Sequence, residues 1–136
     1  MQFDIEKENE YEKGRNTMNF TCNVLSVNIE ELGCTVQFSE KEDGECNYLL
    51  LQRTYPEEDD EDDSRYIESN DFGNSGFYKK AKLQLHPDFL SVKFGENQVN
   101  VNLNNALEDY EKLKKALRII SSETWDLTVY NENYIE

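Results

Sequence analysis

From Asn19 onward the chain alternates apolar and polar residues with the period of two that marks a half-buried β-strand. Phe20, Cys22 and Val24 share one parity, and Leu25, Val27 and Ile29 continue on the other. The reading is a bulge near Val24 or a bend between two short strands. Glu30 to Gly33 predicts a turn, after which Cys34, Val36 and Phe38 resume the alternation up to a polar loop, Ser39 to Glu45. The run Tyr48-Leu49-Leu50-Leu51 is apolar on both parities and predicts a strand covered on both faces, the most buried of the chain. Arg65 to Glu68 reads as a short strand, and Asn70, Asp71, Gly73, Asn74, Ser75 and Gly76 supply turn chemistry. Then Ala81, Leu83 and Leu85, the tight hairpin loop His86-Pro87-Asp88, and the alternations Leu90, Val92, Phe94 and Val99, Val101, Leu103 complete an antiparallel meander.

Only one segment has a helical period. Asn105 and Glu108 stand at the spacing of a capping box, and Ala106, Tyr110, Leu113, Leu117 and Ile120 recur every three or four residues. Glu108, Asp109 and Glu111 fill the early turns and Lys112, Lys114, Lys115 and Arg118 the later ones, as the helix macrodipole favours. A helix over 105–121 is therefore expected, followed by a last strand with Trp125, Leu127 and Val129. The predicted class is α+β: a mostly antiparallel β meander, a curved sheet of about six to eight strands, with one amphipathic helix near the C-terminus. A length of 136 residues fits a single domain, 1–136, in which 1–17 is an edge strand or a mobile arm.

Composition changes the picture at one place. Fourteen basic against 29 acidic side chains give a net charge of −15, and Glu57, Glu58, Asp59, Asp60, Glu61, Asp62 and Asp63 form an unbroken run inside a predicted acidic loop, 55–64. Phosphate backbones and anionic membrane surfaces are bound through Lys and Arg, so neither nucleic acid nor membrane is an expected partner; a cationic partner is. The longest apolar run has four residues, far short of a membrane helix, and the acidic start MQFDIEKENE lacks the pattern of a secretory signal, which gives an expectation of a cytoplasmic protein. Cys22, Cys34 and Cys46 lie in or beside predicted strands without CxxC spacing and read as buried free thiols.

Catalytic sets are sparse. His86 is the sole imidazole, at an expected exposed hairpin tip, and no nucleophile elbow, phosphate loop or dinucleotide fingerprint occurs. A carboxylate pair of the glycosidase type would need burial to shift its pKa values, and most acids here lie in the run or on polar strand faces. An EF-hand frame fails on its sixth and twelfth positions: Ser64 and Asn70 when started at Asp59, Arg65 and Asp71 when started at Asp60. No enzyme, no cofactor and no dedicated metal site is expected; a calcium-binding module and a small carboxylate-dependent hydrolase are the alternatives. The run itself reads either as a solvated loop that maintains solubility or as a docking surface for a basic protein, with charge for the encounter and nearby rings for the grip. The candidate contact residues are Glu57, Glu58, Asp59, Asp60, Glu61, Asp62, Asp63, Tyr66, Glu68, Asp71, Phe72 and Tyr78.

The order of features resembles one known family. The strand Asn47-Tyr48-Leu49-Leu50-Leu51-Gln52-Arg53, an acidic connection, Tyr66-Ile67-Glu68 leading through Gly73-Asn74-Ser75-Gly76-Phe77, two alternating strands and a helix ending Leu113-Lys114-Lys115-Ala116-Leu117-Arg118-Ile119-Ile120 are similar to the tenth family of immunity proteins from bacterial polymorphic toxin systems, over roughly residues 19–121. The resemblance implies a mostly β fold, no enzymatic activity and tight non-covalent binding to a cognate toxin, here one with a basic surface. The oligomeric state stays open between monomer and homodimer, because an exposed sheet edge can pair with a second copy.

Overall fold

The structure, a computed structural model, describes residues 16–56, 63–103, 108–131 and 135. The described residues are α+β, with ten strands and one α-helix near the C-terminus. The strands are β1 (Thr17–Thr21), β2 (Val24–Glu30), β3 (Gly33–Ser39), β4 (Tyr48–Thr54), β5 (Ser64–Ser69), β6 (Gly76–Phe77), β7 (Lys82–His86), β8 (Phe89–Phe94), β9 (Asn97–Asn102) and β10 (Asp126–Val129); the helix, α1, is Tyr110–Ser121. They form two five-stranded sheets, ordered β2-β3-β4-β5-β6 and β1-β9-β8-β7-β10, where the alternation pattern alone suggested a single sheet. The first is antiparallel throughout. In the second, a β7-β8-β9 meander is flanked by β1 and β10, each running parallel to its neighbour.

The parity flip near Val24 marks the passage between sheets. The Cys22 amide donates to the Asn102 carbonyl at 2.9 Å, prolonging the β1–β9 pairing, and the next amide, Asn23, donates to Ser39 at 2.9 Å at the start of β2–β3. One peptide step thus moves the chain from one sheet to the other, and the phase of the apolar residues follows.

Both sheets contribute to one core. Val27, Val36, Leu51 and Ile67 stand in register across β2 to β5, and Phe20, Val101, Leu90, Leu85 and Val129 across β1, β9, β8, β7 and β10. The helix adds Leu113, Ala116, Leu117 and Ile120, packing on β2, β3 and β4 and against β10. Burial of these side chains, at about 1.5–3 kcal/mol each, is the main force holding the layers together. Cys22 and Cys34 are buried free thiols, as expected, whereas Cys46 is only half-buried; the Cys34 thiol points at the Ala116 carbonyl, 3.7 Å away. Burial raises the pKa of both inner thiols.

Two further expectations, for β4 and His86, are corrected by packing, and two others fall partly outside the described residues. The described helix begins at Tyr110; its N-cap is Asp109, with no side-chain capping bond, and Asn105 lies outside the described residues. β4 alternates after all, with Leu49 and Leu51 buried while Tyr48 and Leu50 are half-buried on the outer face. His86 is half-buried too, stacked flat on Tyr130 with centroids 4.3 Å apart. Of residues 1–17, expected as an edge strand or a mobile arm, 1–15 lie outside the described residues and Thr17 opens β1. Among the described residues no helix is long and apolar enough to cross a membrane.

Candidate functional site

Because side chains alternate along a strand, the outer face of the β2–β6 sheet is set by the parity opposite to Leu49, Leu51 and Ile67. β4 places Tyr48, Leu50 and Gln52 there, β5 places Tyr66 and Glu68, and β6 places Phe77. Tyr66 stands directly opposite Phe77, with ring centroids 5.2 Å apart and planes tilted by 58°. Glu68 stands opposite Leu50, and its carboxylate accepts from the Tyr48 hydroxyl at 2.5 Å and the Tyr66 hydroxyl at 2.9 Å. Burial, and then the hydrogen bond to Glu68, push the Tyr48 hydroxyl up to about 12, while the Glu68 bond is the largest cause of the rise at Tyr66. The start of β4 is fixed in turn by Asn70, whose side-chain oxygen accepts from the Tyr48 amide at 3.0 Å and whose amide donates to Asn47 at 2.9 Å. Phe77 is 71% exposed, the most open large apolar side chain among the described residues.

The acidic run joins β4 to β5, and Glu57, Glu58, Asp59, Asp60, Glu61 and Asp62 lie outside the described residues. Asp63 is described, and its carboxylate is already engaged. It accepts from Arg53 Nε at 3.0 Å and Nη2 at 2.6 Å, and from Arg65 Nη1 at 2.6 Å. The bond to Arg53 does most to hold its pKa below the ordinary carboxylate value. Both guanidiniums also reach the C-terminal end of α1: Arg53 donates to Ile119 O at 2.7 Å, and Arg65 to Ile120 O at 2.8 Å and Ser122 O at 2.7 Å. Those carbonyls have no partner within the helix, so this ion cluster caps α1 and pins it to the sheet.

The remaining candidates are scattered. Tyr78 turns away from Phe77: its ring meets Phe94 edge-on at 5.0 Å, its hydroxyl donates to Asn74 O at 2.6 Å, and its carbonyl receives the Trp125 indole N–H at 2.9 Å. Asp71 accepts from the Asn74 side chain at 2.8 Å within the loop before β6, and Phe72 opens a 3-10 turn, Phe72–Asn74, in that loop. So Tyr66 and Glu68 come together on one face, Asp63 serves the helix end, and Tyr78 belongs to the packing between the sheets. Tyr48, Leu50 and Phe77 complete the face; the first two escaped the sequence reading. Period-two parity within Tyr48-Leu49-Leu50-Leu51 held the signal for the first two, masked by the apolar residues on both parities.

A cleft of about 640 Å³ opens beside Phe77, between it and Asp63, Arg65, Lys79 and Thr124. Among the described residues no group of three or more His, Cys, Asp or Glu side chains could hold a metal ion. Comparison with protein-family models, curated proteins and solved structures found no match. The outer face offers a carboxylate fixed by two hydroxyls and flanked by aromatic rings, in a strongly acidic molecule.

Proposed function

We propose that the protein is a bacterial immunity protein that neutralises a cognate toxin by binding it and blocking its working surface, making and breaking no covalent bonds, and that the outer face of the β2–β6 sheet is where it binds. The observation that carries this reading is Phe77, a phenylalanine left 71% exposed on a strand and paired with Tyr66 beside Glu68. Aromatic anchors near a fixed polar group are what binding hot spots favour, and an exposed phenylalanine contributes nothing to the core. The resemblance in element order to immunity proteins supports the same reading. The charge of −15 adds steering toward a basic partner, raising the rate of encounter without setting the final affinity. If the toxin is a nuclease, the carboxylates stand in for substrate phosphates, and the encounter takes place in the cytoplasm of the producing cell.

The test is association kinetics with the toxin domain encoded beside this protein. Replacing residues 57–62 by Ser and Gly, with Asp63 retained for its structural bonds, should slow association at least tenfold at low salt and leave dissociation nearly unchanged. An unaltered association rate would remove charge steering by this segment from the account.

A further inference from the structure

We infer that the side chain a partner brings to this face is an arginine, whose guanidinium is received by Glu68 while its plane lies against the Tyr66–Phe77 rings. The inference rests on the proposed binding face and specifies its chemistry. A carboxylate offers about four acceptor positions. Two at Glu68 are taken by the Tyr48 and Tyr66 hydroxyls, at 2.5 and 2.9 Å, which fix the group's orientation and leave the others for a ligand. Tyr66 and Glu68 are two residues apart on one strand, hence side by side on one face, and Phe77 extends the ring surface a further 5.2 Å from Tyr66. A ligand here meets a hydrogen-bond acceptor and an aromatic surface at once.

The charges on the face select the sign. The charged side chains that the strands present on it are Glu30, at the end of β2, and Glu68 on β5; Lys and Arg are missing from this set of described strand residues. A cation is therefore the complement. Between the two candidate cations, guanidinium is planar, weakly hydrated and able to fork onto a carboxylate while stacking on a ring, whereas ammonium is a strongly hydrated point charge. A carboxylate set beside rings fits the former.

The experiment is an NMR titration of the full chain with methylguanidinium chloride and, separately, methylammonium chloride at constant ionic strength. The expected result is saturable shifts confined to Tyr48, Tyr66, Glu68 and Phe77, at least fivefold tighter for methylguanidinium. Glu68→Gln, which keeps an acceptor for one hydroxyl, offers an N–H to the oxygen of the other and removes the charge, should weaken the probe at least tenfold. Phe77→Ala, which removes a mostly exposed ring and leaves the core intact, should weaken it severalfold. Equal or tighter methylammonium binding, or an unchanged response in Glu68→Gln, would overturn the inference. If methylguanidinium fails while toxin binding still depends on Phe77, the arginine assignment falls and the binding face stands. If the probe binds as expected while toxin binding ignores both substitutions, the site chemistry stands, and the toxin-binding role of this face falls together with the partner arginine.

Discussion

At Tyr48 the fold favours the neutral phenol, because burial and the neighbouring Glu68 carboxylate both oppose the tyrosinate. The sign of the linkage follows. A pKa raised from 10 to about 12 contributes stability that is complete below the unfolded value and is lost as pH rises through the folded one. Ultraviolet titration of the folded protein should find one tyrosine ionising near that raised value, and Tyr48→Phe should remove it; a profile unchanged by that substitution would contradict the assignment. Asp63 runs the other way. Its lowered pKa stabilises the fold above the ordinary carboxylate value and ceases to do so as pH falls through the folded one. Asp63→Asn should cost about 1 kcal/mol in urea unfolding near neutral pH, since two guanidiniums lose a charged acceptor that solvent partly screens, and the loss should shrink in acid. Little of this was legible in the sequence. Asp63 reads as the last of seven like charges, and only the return of β5 alongside β4, with Arg53 opposite Arg65, distinguishes it from its neighbours.

The stripe of α1 could be read directly, because Leu113, Leu117 and Ile120 meet the core at the spacing a helix imposes. Its C-terminal anchor could not. Arg53 and Arg65 lie 66 and 55 residues from the carbonyls they bind, and no local pattern encodes such a contact. Arg65→Met should preserve much of the side-chain volume while leaving the Ile120 and Ser122 carbonyls without their partner. Hydrogen exchange over the last turn of α1 should quicken by an order of magnitude while exchange in β8 stays protected; uniform loss of protection would mean that the cluster holds the whole fold and not the helix end. β4 shows the opposite limit. Its apolar run suggested burial on both faces, yet Leu50 sits opposite Glu68 on the outer face, where an apolar neighbour supports the aromatic cluster instead of a second layer. The adjacent rings Phe77 and Tyr78 part company for a similar reason: the Trp125 indole draws the Tyr78 backbone inward and Phe77 is left outside.

For the whole molecule, alternation revealed the strands and their antiparallel hairpins, but not their division between two sheets. That division depends on β1 finding β9 and β10 finding β7, parallel pairings across long stretches of chain that no turn signal announces. The outcome is one core shared by two sheets and a helix, with the outer face of the β2–β6 sheet bearing Tyr48, Leu50, Tyr66, Glu68 and Phe77. We propose this face as the toxin-binding surface. The most direct measurement is the dissociation constant of the toxin domain encoded beside this protein, for the wild type and for Phe77→Ala, alongside toxin activity. The wild type should form a tight complex that abolishes that activity, and the variant should bind about 30-fold more weakly, the loss of a hot spot worth about 2 kcal/mol. Equal affinities, or a toxin that remains active in the presence of excess wild-type protein, would contradict the proposal.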